Sequence, residues 1–307
     1  MSSSILPHNE IIKKIAELKK QKNAVILVHN YQPPEIQDIA DYLGDSLELA
    51  RISKSVSASV IVFCGVHFMA ETAKIFNPDK KVLMPDIHAG CPMANMIDPW
   101  RLKKEKEKYP VAGVITYINS TAEVKALSDI CCTSANGVKV ARAIEKEEIL
   151  FVPDKYLGSY VARQVPEKKF HLYNGYCPTH MLFTREGILK LKEKYPDAQV
   201  MVHPECRLEV QEIADAICST SQMLTFAQKS PAQRFIICTE VGLLYRLKKE
   251  NPQKEFIPGN PHALCPNMKL TTLEKVLWAL EDMKYEVTVP EEIRVKALQA
   301  IEKMISI

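Results

Sequence analysis

The chain has 307 residues, 47% apolar and 25% charged, with a formal charge of +3 and nine cysteines. That length suits one large domain or two to three ordinary ones, and the apolar fraction can fill a large core. The small charge, with no basic stripe interleaved with aromatics, argues against a nucleic-acid partner.

Apolar runs such as Val60-Ile61-Val62-Phe63 fall far short of the ~20 residues a membrane helix needs. An odd cysteine count without tight spacing argues against a disulfide framework. Met1-Ser2-Ser3-Ser4-Ile5 lacks the basic and apolar regions of a signal peptide. A cytoplasmic, reducing location is expected.

In chain order, Asn9 to Gln21 reads as an amphipathic helix with Ile12, Ile15, Ala16 and Leu18 on one face and lysines at its end. Ala24 to Val28 is a short continuous apolar run, the pattern of a buried parallel strand. Pro33-Pro34 break the chain, Glu35 to Leu43 read as helix, and Ser46 caps another helix to about Ser55. Val60 to Cys64 is a strand, Phe68 to Phe76 a helix and Lys81 to Met84 a strand. A loop then reaches Cys91, and Met96 to Lys108 form a charged helix, the lysines of 103 to 108 on a solvated face.

The order repeats. Strands are expected at Ala112 to Thr116, Asp129 to Cys132, Ile149 to Val152 and Phe170 to Leu172, with helices at Ala122 to Leu127, Ser134 to Ile144 and Leu157 to Gln164. A loop with Cys177 and a helix through Lys194 follow. The third pass runs from Gln199 through Phe235-Ile236-Ile237 and Glu255-Phe256-Ile257 to Cys265, its last helix ending near Lys284-Tyr285. This predicts an N-terminal helix over 1–23, α/β/α repeats over 24–110, 111–198 and 199–285, and a C-terminal helix over 286–307 that packs beside the N-terminal one. The fold class is α/β, with three three-layer α/β/α domains and parallel sheets related by a pseudo-threefold around a central active site.

Superposing the repeats tests them. His29, Tyr117 and His203 each follow a first strand, and seventeen residues later come Ser46, Ser134 and Thr220. Asp41, Asp129 and Asp215 are also in register. Of the nine cysteines only Cys91, Cys177 and Cys265 precede proline, 86 and 88 residues apart. Parallel α/β sheets bind ligands beyond the carboxyl ends of their strands. The three hydroxyl residues read as N-caps of helices whose free N–H groups would take phosphate or carboxylate.

Three equivalent thiolates suit an iron–sulfur centre, and a four-iron cluster held by three cysteines keeps one iron open as a Lewis acid. Zinc is the weaker rival without a Cys-x-x-Cys pair. Cys64, Cys131, Cys132, Cys218 and Cys238 fall in strand-like runs and read as core; Cys206 is left unassigned. His203-Pro204-Glu205 sets an imidazole beside a carboxylate, a usable acid/base pair, and His180 follows Cys177 closely. An iron–sulfur electron carrier or a non-catalytic binding protein would have less use for three registered hydroxyls.

Several stretches carry a resemblance over essentially the full length: Val28-His29-Asn30-Tyr31-Gln32, Ala40-Asp41 to Ser46, Asp86 to Met93, Tyr117-Ile118-Asn119-Ser120, Asn174 to His180, His203-Pro204-Glu205-Cys206 and Cys265-Pro266-Asn267-Met268. In these the chain resembles the quinolinate synthase family.

The resemblance implies a [4Fe-4S] cluster on Cys91, Cys177 and Cys265. It implies condensation of iminoaspartate with dihydroxyacetone phosphate to quinolinate, phosphate and water in NAD biosynthesis, with L-aspartate oxidase as a transient partner. It assigns His29, Ser46, Tyr117, Asn119, Ser134, His180, His203, Glu205 and Thr220 to substrate, and Glu205, His203, Tyr31 and Tyr117 to catalysis, Glu205 as general base. The Cys-x-x-Cys-x-x-Cys run of some relatives is absent here.

Overall fold

A computed structural model of the protein describes residues 7–307, so the reading of Met1 to Ile5 as no signal peptide lies outside the described residues. Three four-stranded, all-parallel sheets dominate. The first comprises β1 (Ala24–His29), β2 (Tyr42–Gly44), β3 (Val60–Cys64) and β4 (Lys81–Leu83). The second comprises β5 (Gly113–Tyr117), β6 (Ile130–Cys132), β7 (Glu148–Val152) and β8 (Lys169–Leu172). The third comprises β9 (Gln199–Val202), β10 (Ala216–Ile217), β11 (Arg234–Cys238) and β12 (Glu255–Pro258). Each has the strand order second-first-third-fourth. The central strands are the apolar runs, buried on both faces by flanking helices as parallel strands require.

The chain divides into two compact units, one running through Gly90 and including Pro266–Pro290, the other Cys91–Cys265 with Glu291–Ile307. In the first, helices His8–Gln21 and Leu273–Asp282 pack on the sheet through Ile11, Ile15, Val276, Leu277 and Leu280. In the second, helix Pro99–Lys108 covers the β5–β8 sheet through Leu102, and helix Arg185–Lys194 covers the β9–β12 sheet through Ile188. The closing helix of each repeat thus lies on the sheet of the next, and that of the third repeat on the first.

Helix Glu291–Ile305 corrects one expectation. Instead of the N-terminal helix it takes β6 and helix Ala122–Lys125 as partners, burying Ala297, Ala300, Ile301 and Met304. The Met304 carbonyl accepts from Asn136 Nδ2 at 3.1 Å, and Lys303 Nζ donates to the Asp129 carbonyl at 3.0 Å. A second correction concerns Glu35 to Leu43. The helix there is only Pro34–Asp38, and Tyr42–Gly44 is an edge strand.

Asp41 makes that edge strand. Its Oδ2 accepts the Ile26 N–H at 2.7 Å while its own N–H bonds the Ile26 carbonyl. Asp129 does the same to Val114, and Asp215 to Val200, each also at 2.7 Å. The registered aspartates are therefore clamps between first and second strands rather than ligands for a substrate.

Candidate active site

Each first strand ends in a loop that its own repeat pins from beneath. Gln37 Nε2 donates to the carbonyls of Asn30 and Gln32, and Gln211 Nε2 donates to those of Pro204 and Cys206. In the second repeat the job falls to Lys125, fully buried, whose Nζ donates to the Ser120 carbonyl at 2.5 Å. A buried ammonium needs such partners. These residues stand eight positions after His29, Tyr117 and His203. The chemically different side chains Gln, Lys and Gln hid that register from the sequence reading.

The pinned loops fix histidine tautomers. In the first unit the Tyr31 N–H donates to His29 Nδ1 at 3.1 Å, and the Tyr31 ring stands edge-on to the imidazole at 4.7 Å. In the second, the Glu205 N–H donates to His203 Nδ1 at 3.3 Å. An Nδ1 that accepts leaves the proton on Nε2 of the neutral ring, and His203 Nε2 lies 3.2 Å from Ser134 Oγ.

Glu205 is the centre of the second unit. It is 3% exposed; Oε1 accepts from the Tyr117 hydroxyl at 2.5 Å, and Oε2 is 2.7 Å from His180 Nδ1. The sequence paired Glu205 with its neighbour His203, but that imidazole is 3.9 Å away and its Nδ1 is already engaged by the backbone. His180, brought in by the turn His180–Leu182, is the closer partner. Its Nε2 meets Thr239 Oγ1 at 2.9 Å, and its ring stacks on His203 at 4.6 Å. The Nδ1 approach is close but not aligned as a hydrogen bond, so His180 acts on Glu205 through proximity. Burial pushes the Glu205 carboxyl up, but His180, His203 and the Tyr117 hydroxyl outweigh it and hold it below the usual carboxylate range.

The three cysteines of the Cys-Pro pairs belong to the same unit. Burial, with Glu205 and Cys265 adding to it and the N–H groups of Ala94 and Met93 opposing, pushes the Cys91 thiol up to about 12. Burial likewise raises the Cys177 thiol, with Glu205 and Cys91 adding to it and the His180 N–H opposing. Among the described residues, Cys177, His180 and Glu205 place three ligand atoms within 4.8 Å of one another, a group that can hold a metal. Cys91, Cys177 and Cys265 are themselves half-buried free thiols. Three soft sulfurs in that position fit an iron–sulfur centre. The remaining cysteines are buried, and Cys206, which the sequence left open, lies in the core around β9 and β11.

The registered hydroxyls sit one residue off their expected role. Asp45, not Ser46, caps helix Ser46–Ser55, accepting the N–H groups of Leu47 and Glu48 at 2.9 Å while Glu48 bonds back to it. Ser219, not Thr220, makes the same reciprocal box with Gln222 before helix Thr220–Lys229. In the second repeat Asn136 Oδ1 accepts the Thr133 N–H and Thr133 Oγ1 the Ala135 N–H, closing a turn before a helix that begins only at Gly137 with no side-chain cap. Capping in the first and third repeats is done by the preceding side chain, so the geometry leaves the hydroxyls for other work. Thr220 is buried, Ser46 and Ser134 are half-buried. Asn119, beyond Tyr117, has an amide oxygen buried with no hydrogen-bond partner among the described residues. That vacancy suits a ligand's donor.

Comparison with known proteins agrees in extent as well as kind. The family profile described as "Quinolinate synthetase A protein" matches residues 13–306. A quinolinate synthase of Thermodesulfovibrio yellowstonii is 54% identical over 299 residues, covering 97% of this chain and 99% of that protein. One from Dehalococcoides mccartyi is 55% identical over 301 residues, covering 98% and 99%. One from Geotalea uraniireducens is 52% identical over 299 residues, covering 97% and 98%.

Proposed function

The chain belongs to the quinolinate synthetase A family, and from that premise we propose how its residues carry out quinolinate synthesis. It is an enzyme of the quinolinate synthase type, serving NAD biosynthesis. The substrates are iminoaspartate and dihydroxyacetone phosphate, which join with loss of phosphate and two waters. Iminoaspartate is short-lived in water, which favours supply by L-aspartate oxidase in the cytoplasm. No helix of the described residues is long and apolar enough to cross a membrane.

The single observation that carries the reading is the grouping of Cys177, His180 and Glu205, with ligand atoms within 4.8 Å of one another, in the unit that also carries Cys91 and Cys265. Cys91, Cys177 and Cys265 hold a [4Fe-4S] cluster, which when bound supplies an open iron as Lewis acid.

The chain's own groups do the rest. Ionised Glu205 is the base, and the Tyr117 phenol, bonded to it at 2.5 Å, passes it the proton taken from substrate. His180, fixed by Thr239 through Nε2, sets its ring 2.7 Å from the carboxylate and favours the charged form of Glu205. His203 and Ser134 form a donor pair for a substrate oxygen, with Asn119 and Thr220 beside them in the assignment. His29, Tyr31 and Ser46, which hold the matching places in the first of the repeats 24–110, 111–198 and 199–285, are assigned to substrate by that register.

The test is iron, sulfide and quinolinate formation in anaerobically prepared protein against Cys91→Ser, Cys177→Ser and Cys265→Ser. About four irons per chain are expected in the wild type, with cluster and product both crippled in each variant. Product formation indifferent to all three changes, or an iron-free active protein, defeats the reading.

A further inference from the structure

The proton relay leaves two buried carboxylates unused, and each touches the turn of a Cys-Pro pair. Glu240 is 0% exposed; its Oε1 accepts the Cys265 N–H at 3.0 Å and its Oε2 the Gly242 N–H at 2.7 Å. Asp154 is also 0% exposed; its Oδ1 accepts the N–H groups of Tyr156 and Leu157, both at 2.8 Å. The Cys177 N–H faces the same carboxylate. Its other oxygen, Oδ2, is buried with no hydrogen-bond partner among the described residues.

The two occupy one place in the repeat, two residues beyond the ends of β7 and β11. At that place after β3 stands Val66, which has no acceptor to offer. The approach is close: the Gly175 N–H donates to the Pro153 carbonyl and the Lys155 N–H to the Gly175 carbonyl, both at 3.0 Å. A side chain at Gly175 would put its Cβ 2.4 Å from the Pro153 oxygen. The chain bearing Cys177 is thus laid directly on Asp154.

We propose that Asp154 and Glu240 are positioning residues behind the Cys177 and Cys265 turns, Glu240 bonding the Cys265 N–H and Asp154 presenting its open oxygen on the side of Cys177 while the chain bearing Cys177 is laid on its turn, so that two of three cluster ligands are placed before iron arrives. The inference rests on the cluster reading above. A carboxylate suits the task because both its oxygens accept: in Glu240 one arm bonds the local turn and the other the Cys265 N–H, and in Asp154 one arm bonds the local turn and leaves the other to face Cys177. Groups that orient a metal's ligands from behind contribute to affinity nearly as the ligands do. Cys91, whose repeat has valine at this place, lacks such a carboxylate and is the ligand that adapts.

Asp154→Asn and Glu240→Gln keep shape but turn one acceptor into an NH₂ group that opposes an N–H. Asp215→Asn serves as control: it weakens the strand clamp in the third repeat without touching a cysteine turn. Each protein is reconstituted anaerobically and followed for iron content, rate of cluster loss to a chelator, the electron spin resonance of the reduced cluster, and melting of the iron-free form. Expected is cluster loss on the order of tenfold faster in Asp154→Asn and Glu240→Gln, an altered resonance, iron-free melting close to wild type, and a control that loses iron at the wild-type rate. Wild-type kinetics and resonance in both variants overturn the proposal while leaving the cluster reading intact. So does faster loss matched by a fall in iron-free melting and reproduced by Asp215→Asn, since the residues would then only support the fold. A wild type that takes up no iron instead removes the cluster reading, and this inference with it. Asp154→Asn decides the matter if Glu240→Gln does not fold.

Discussion

The loops after β5 and β9 have one backbone plan and two chemistries. Both first strands are clamped by an aspartate at 2.7 Å, Asp129 and Asp215, and both loops are held from below, by Lys125 and Gln211. Yet one strand ends in the phenol of Tyr117 and the other in the imidazole of His203, with Glu205 two residues on. The two chemistries meet as the 2.5 Å bond from Tyr117 to Glu205. The clamping aspartate kept its chemistry through the repeat, while the pinning position and the strand tips diverged, and the divergence at the tips made a donor–acceptor pair.

Removing the acceptor half of that pair should cost most. Glu205→Gln is expected to lower turnover by roughly 10²-fold or more, the loss typical of a missing general base, with iron content unchanged. Steady-state quinolinate formation measures it, and near-wild-type turnover would take Glu205 out of the role. Tyr117→Phe removes the donor half alone. It should cost about tenfold, since His180 still holds the carboxylate; a loss as large as that of Glu205→Gln would make the phenol the primary proton carrier.

Gly175→Ala probes the backbone side of the comparison. The 2.4 Å approach to the Pro153 carbonyl cannot be relieved by a rotamer change. About 1–3 kcal/mol of destabilisation is expected from overpacking, read by denaturant unfolding, together with weaker iron retention. Asp129→Asn and Asp215→Asn should each cost about 1 kcal/mol or less, being single partly solvated hydrogen bonds. Equal losses from the two would support equivalent clamps, and a large difference would break the equivalence.

The smallest effect is in acid. Glu205's folded carboxyl lies below its ordinary value of 4.5, against burial, because His180, His203 and Tyr117 favour the charged form. Its contribution to stability is therefore whole above the ordinary value and is lost as pH falls toward the lowered one. Stability measured from pH 6 downward should fall less steeply in Glu205→Gln than in the wild type; parallel curves would remove that contribution.

Much of this was legible in the residues. The apolar runs became central strands because a strand covered on both faces must be apolar throughout, and three Cys-Pro pairs in register marked the thiols. The hydroxyls were found but given the wrong role, because serine and threonine are good caps anywhere and only the bonds of Asp45 and Ser219 show which side chain caps in the first and third repeats, while the second helix has no side-chain cap.

What the sequence by itself determined about this protein is the element order and the threefold repeat, which follow from local periodicity and spacing, together with the candidate side chains that the register singles out. Tertiary structure alone decided that each closing helix crosses to the next sheet and that helix Glu291–Ile305 packs on β6. It alone chose His180 over the adjacent His203 as the partner of Glu205, and set Asp154 and Glu240 behind Cys177 and Cys265. The reason is physical. Amphipathic periodicity says which face of a helix must be buried but not against what, and hydrogen bonds between residues far apart in the chain exist only once packing has brought their donors and acceptors together.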